Sequence, residues 1–121
     1  MYMSYIDKFF NLNNKVVVIT GGAGYLCSSM ALGFHRAGCS IAILDSNLKS
    51  AQKIVQVINN DGGDAIALEM NSSKKNDFEF CLSKINNVFG HIDVLINGAR
   101  INAPTPFLEI SEEEWDQIMA V

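Results

Sequence analysis

The sequence predicts an α/β fold, a doubly wound parallel sheet of about four strands. Three observations predict it. Short apolar runs recur along the chain, at Val16–Thr20, Ile41–Asp45, Ala65–Glu69 and Ile92–Asn97. Between them lie longer segments whose apolar residues are spaced three and four apart, as one face of a helix requires. Turn chemistry separates the two patterns, with Gly38, Asp61-Gly62-Gly63 and Gly90 at the changes of period. Strands joined by helices of this length run parallel and cross over with a right hand.

Each element has its own local reason. Val16-Val17-Val18-Ile19-Thr20 is a β-branched run suited to a strand covered on both faces. It breaks into Gly21-Gly22-Ala23-Gly24. A helix is expected over about Gly24–Ala37, with Leu26, Met30, Ala31 and Phe34 at helical spacing and Gly38 just past its end. Ile41–Asp45 is the second strand. Leu48–Asn60 follows as a helix, with Ala51, Ile54, Val55 and Ile58 on one face. Ala65–Glu69 is the third strand, and Lys74–Phe89 a helix carrying Phe78, Leu82, Ile85 and Phe89. Ile92–Asn97 is the fourth strand. Arg100–Ile110 is a loop holding both prolines, and Ser111 opens a last helix with Glu114 at the capping-box position.

Composition narrows the function classes. The 121 residues suit one domain, and 49% hydrophobic with 18% charged residues is ordinary globular composition. A net charge of −4 and the lack of any basic run argue against a nucleic-acid partner. Cys27, Cys39 and Cys81 have no metal-ligand spacing and read as free thiols of a reducing compartment. His35 is expected on a helix surface and His91 in a turn, so no metal site is expected. The Met1–Lys15 stretch is aromatic but lacks signal-peptide shape, and no run reaches the roughly 18 apolar residues of a membrane span. These readings point to a cytoplasmic location.

The residues that carry chemistry cluster at the first strand–turn–helix. Glycines there let backbone approach a ligand closely, and the helix behind offers unpaired N–H groups to phosphate. Asp45 ends the second strand 24 residues after Gly21, close to the spacing of an acid that bonds a ribose 2′-hydroxyl. Such a carboxylate repels a 2′-phosphate, and Ser46 and Asn47 follow it rather than a cation, which favours NAD over NADP. Asp45 can equally be read as a turn residue or helix cap, a role open to Ser46 and Asn47 as well.

With these residues placed, the chain from about Asn11 to Val121 resembles the first half of a short-chain dehydrogenase/reductase. Leu95-Ile96-Asn97-Gly98-Ala99 is similar to the family's strand-end Asn-Asn-Ala-Gly motif. Phe107-Leu108-Glu109-Ile110-Ser111, followed by Glu114-Trp115-Asp116, resembles the loop-to-helix transition of the ordinary oxidoreductase branch. Asn71-Ser72-Ser73 stands where that family places an acid, a small residue and Ser or Thr beside adenine. The glycine motif departs from the ordinary branch, with Tyr25 and Cys27 at two glycine positions. Its spelling resembles the extended branch of nucleotide-sugar epimerases and dehydratases. Arg100 replaces a customary glycine, where it could clash with cofactor, reach a substrate carboxylate or phosphate, or point into solvent.

The resemblance implies a Rossmann-like NAD-binding fold, dimerisation through the helix opening at Ser111, and a set of roles. Gly21, Gly22 and Gly24 give close backbone approach, and the Leu26 N–H faces the pyrophosphate. Asp45 takes the ribose hydroxyls, and Asn71 and Ser72 flank adenine. Asn97 and Ala99 line the nicotinamide side, with Asn97 also tethering neighbouring strands. The family's chemistry needs a Tyr whose pKa, near 10 when free, is lowered by a Lys, with a Ser and an Asn completing the relay. No Tyr-x-x-x-Lys occurs here, so no catalytic residue is assigned. The expected function is the N-terminal part of an NAD-dependent oxidoreductase acting on a carbinol or ketone, in a sugar or sugar acid, with small-molecule substrate only when a C-terminal half completes it. A non-catalytic dinucleotide-binding module or inactive remnant is the alternative, and an extended-branch enzyme a third. The isolated chain is expected to be marginally stable and to be rescued by homo-oligomerisation, because the fourth strand would present an apolar edge.

Overall fold

The computed structural model describes residues 4–102 and 104–121. Its elements are α1 (Tyr5–Phe10), β1 (Val16–Thr20), α2 (Tyr25–Arg36), β2 (Ser40–Asp45), α3 (Leu48–Asn60), β3 (Ala65–Glu69), α4 (Lys75–Phe89), β4 (Val94–Asn97), a 3₁₀ turn (Phe107–Glu109) and α5 (Glu112–Met119). The strands form one parallel sheet in the order β3-β2-β1-β4. The chain therefore winds outward from β1 to β3 and then returns to the other side of β1. The carboxyl ends of β1 and β4 flank that reversal, the place where open α/β sheets bind ligands.

Alternation along β1 and β2 builds two apolar layers. Val17, Ile19, Ile41 and Ile43 face α2 and α3, meeting Cys27, Ala31, Ala51 and Ile58. Val16, Val18, Ala42 and Leu44 face the other way, onto Met70 and onto Cys81 and Ile85 of α4. β1 and β2 are thus covered on both sides, as their continuous apolar runs require.

The structure departs from the sequence reading at several points. α1 was not expected; Ser4 and Asp7 close a reciprocal capping box that starts it, and a Tyr5–Phe9 edge contact lies along it. β4 begins at Val94 rather than Ile92; just before it, Asp93 donates its N–H to the Val16 carbonyl at 3.0 Å and its carboxylate takes the Val16 N–H at 2.8 Å. The buried stripe of α2 is Cys27 and Ala31 with Phe34 beside them, whereas Leu26 and Met30 are exposed. In α4, Cys81 and Ile85 are buried while Phe78 and Leu82 remain partly in solvent. Helical spacing alone admits either stripe, and the small thiols fit closer to the sheet. His35 is not a surface residue: its side chain is 11% exposed and its Nε2 lies 2.9 Å from Asp61. Among the described residues β4 has no strand on its outer side, and Leu95 is 57% exposed. The apolar edge expected for the fourth strand is present.

Candidate dinucleotide site

The site starts where β1 ends. Gly21 turns the chain at φ +61°, and a Cβ there would lie 2.7 Å from the Ala99 Cα. Only glycine permits both that backbone conformation and that approach. Gly22 sits behind the turn, bonded through its N–H to the Leu44 carbonyl at 3.3 Å, and a Cβ on it would meet Ile43 Cγ2 at 2.7 Å. Gly24 is the N-cap of α2 and supplies no capping side chain. Ser28 N–H donates to the Gly24 carbonyl at 2.8 Å, so the N–H groups of Tyr25, Leu26 and Cys27 precede the first intrahelical bond. Those groups carry the positive end of the helix dipole without a protein cap, which is the condition of an anion site.

Asp45 closes the turn from the end of β2. Its Oδ2 accepts the Ala23 N–H at 3.0 Å and its Oδ1 accepts the Asn47 N–H at 2.9 Å. The cap of α3 is Asn47, which accepts the Ser50 N–H at 3.0 Å, so Asp45 is a turn-holding residue and not a helix cap. A carboxylate offers about four acceptor positions, and two remain for further donors.

The β4 end is fastened by Thr20, whose hydroxyl no sequence motif singles out. Its Oγ1 accepts the N–H groups of Gly98 at 3.1 Å and Ala99 at 3.3 Å and donates to the Ile96 carbonyl at 3.4 Å. Asn97 was expected to tether the strands. Its backbone pairs with Thr20, but among the described residues its carboxamide makes no hydrogen bond, and Thr20 provides the tether. Cys27 and Gly98 are matched: a Cβ on Gly98 would run into the Cys27 Sγ. The thiol at a usual glycine position thus occupies the space that a side chain at 98 would need.

Asn71 follows β3. Its Oδ1 accepts the Ser73 N–H at 3.0 Å and the Ser73 hydroxyl at 2.6 Å, and its own N–H donates to Asp77 at 2.9 Å. The Asn71 carbonyl oxygen is thus engaged in its own turn. The free polar group of this side chain is its NH₂.

One open cleft of about 800 Å³ gathers these parts. Gly21, Gly24, Leu26, Asp45, Asn71, Ser72, Asn97 and Ala99 all line it, while Gly22 supports the turn from behind. The volume falls within the roughly 300–1,000 Å³ typical of small-molecule sites. Tyr25, Cys27, Ser46, Met70 and Ile101 also line it and were not assigned to it from the sequence. Its charged lining side chains are Asp45 and Arg100. An uncapped helix N-terminus, a glycine turn that leaves no room for side chains and an acid with free acceptors fit a dinucleotide. Among the described residues no helix is long and apolar enough to cross a membrane.

Comparison with known proteins agrees with this geometry. A family model described as short chain dehydrogenase matches residues 15–121. The chain is 32% identical over 116 residues to a 5-keto-D-gluconate 5-reductase of Escherichia coli, covering 96% of this chain and 46% of that protein. It is 39% identical over 106 residues to an uncharacterized oxidoreductase of Haemophilus influenzae, covering 88% of this chain and 37% of that protein. Among solved structures, one from Haemophilus influenzae, proposed to be a D-mannonate oxidoreductase and holding bound NAD, superposes with a TM-score of 0.82 at 30% identity. That match covers 93% of this chain and 46% of the other. A short-chain type dehydrogenase/reductase from Mycobacterium marinum superposes with a TM-score of 0.89 at 24% identity, over 98% of this chain and 47% of the other, and speaks for the fold. The chain spans less than half the length of these relatives.

Proposed function

The chain belongs to the short-chain dehydrogenase family, and from that premise we propose that it forms the NAD(H)-holding part of an oxidoreductase acting on the carbinol or ketone of a sugar acid. The observation that carries the reading is one cleft at the β1/β4 reversal, onto which the glycine turn, the uncapped N-terminus of α2 and Asp45 all open. A bound nicotinamide dinucleotide would supply or accept a hydride. This chain's residues hold it: the N–H groups of Tyr25, Leu26 and Cys27 face the diphosphate, and the Asp45 carboxylate accepts from the ribose hydroxyls. A 2′-phosphate placed at Asp45 would meet a like charge, which sets the preference for NAD over NADP. Ser72 and Asn71 border the adenine end, with the Asn71 NH₂ as the free donor there. Asn97 and Ala99 border the nicotinamide end. The substrate class is carried over from the relatives, one a 5-keto-D-gluconate 5-reductase and one proposed to act on D-mannonate. Because no Tyr-x-x-x-Lys is present, the 121-residue chain binds the dinucleotide without turning substrate over.

Fluorescence titration tests this. Saturable NADH binding is expected, with NADPH at least about tenfold weaker. Asp45→Ala removes a charge-assisted contact and is expected to weaken NADH about tenfold or more while narrowing the gap to NADPH. Absence of NADH binding, or a preference for NADPH, would overturn the reading.

A further inference from the structure

We propose that Arg100 is a clamp for the cofactor diphosphate, a role that rests on the dinucleotide reading above and adds to it a residue outside the glycine turn. Three observations carry it. The end of β4 abuts the phosphate turn directly, since a Cβ on Gly21 would lie 2.7 Å from the Ala99 Cα and 2.8 Å from the Ala99 nitrogen. Arg100 is the next residue, so its long side chain starts beside the turn and on the wall of the same cleft. It is the only cation lining that cleft, and among the described residues it makes no ion pair or hydrogen bond although the protein is acidic overall.

Charge then decides what the guanidinium meets. A dinucleotide brings two negative charges at its diphosphate into a cleft whose other charged wall side chain is the Asp45 carboxylate. Backbone N–H groups at the start of α2 supply only the partial charge of a helix terminus. A guanidinium offers a planar fork of donors that matches phosphate oxygens, and it stays charged at any working pH. The position of Arg100 beside Gly21 favours the diphosphate over a substrate carboxylate, because the turn at Gly21 is where phosphate must pass. Thr20 steadies the backbone that presents it, through its bonds to the Gly98 and Ala99 N–H groups.

The test uses the full chain and reads affinity and not turnover. NADH is titrated directly, and ADP-ribose and adenosine are measured by displacement of NADH, for the wild type and for Arg100→Gln, Arg100→Lys and Arg100→Gly. Arg100 is exposed, so these variants keep the fold. Arg100→Gln is expected to weaken NADH and ADP-ribose about five- to tenfold, to leave adenosine unchanged and to flatten the salt dependence of binding. Arg100→Lys should recover part of the loss. Equal NADH affinity in wild type and Arg100→Gln overturns the clamp and leaves the dinucleotide reading intact. A matching loss for adenosine shows a general disturbance of the site and also overturns it. Tighter binding by Arg100→Gly shows that the side chain obstructs the cleft, again against the proposal. No NADH binding by the wild type removes the dinucleotide reading and the clamp with it.

Discussion

Gly98→Ala is a small change with a large expected effect. The new Cβ would overlap the Cys27 Sγ outright and stand 2.7 Å from the Thr20 carbonyl oxygen, where ordinary contact begins at 3.4 Å. Neither neighbour yields easily: Cys27 is 8% exposed, and Thr20 belongs to the central strand and is 3% exposed. Forcing one methyl into a packed site costs about 1–3 kcal/mol, a fall in Tm of roughly 5–15 °C for a chain of this size. Cys27→Ala removes the Sγ and leaves the Cys27 Cβ position 3.7 Å from the new methyl, an ordinary contact. By itself that truncation is expected to cost about 0.5–1.5 kcal/mol. The double variant should therefore be more stable than the sum of the two losses predicts, by at least about 1 kcal/mol. Part of the Gly98→Ala cost should persist, because the Thr20 carbonyl remains in place. Urea unfolding of the four proteins, followed by circular dichroism with the slope held constant, measures the cycle. Additivity within about 0.5 kcal/mol, or a Gly98→Ala chain as stable as wild type, would refute the matched packing of Cys27 and Gly98.

Two further outcomes follow from the same geometry. Thr20→Val keeps the shape and removes the acceptor shared by Gly98 and Ala99; the expected loss is about 1–3 kcal/mol, with the Ala99 amide exchanging faster, and unchanged exchange would show that Thr20 is not the tether. The Val16 N–H, with Lys15 and His91 beside it, holds the Asp93 carboxyl below its ordinary value of 3.8. A depressed folded value contributes stability above the unfolded pKa, and that contribution is lost as pH falls through the folded one. Stability of the wild type should accordingly decline on acidification below about pH 4–5. Asp93→Asn should flatten that part of the profile, and an unchanged acid limb would show that Asp93 does not couple to folding.

The sequence by itself determined the order of strands and of the helices between them, and most of the residues that the fold gathers at one cleft. Alternating buried strands and amphipathic helices can pack in few ways, so the four parallel strands, the glycine turn and the acid at the end of β2 were legible from period, turn chemistry and spacing. Helix faces were less so, because Leu26/Met30 and Cys27/Ala31 both recur at helical intervals and only contact with the sheet selects between them. Tertiary structure alone decided which polar groups bond to one another. Thr20, not Asn97, ties β1 to the end of β4, since the Thr20 hydroxyl reaches two N–H groups some 78 residues away in the chain. The Asn71 carbonyl oxygen is taken by Ser73, two residues on. The space left by Gly98 and filled by Cys27 is likewise invisible in either residue alone. Periodicity is a property of one segment, whereas hydrogen-bond partners and shared volume belong to pairs of segments that only the fold brings together.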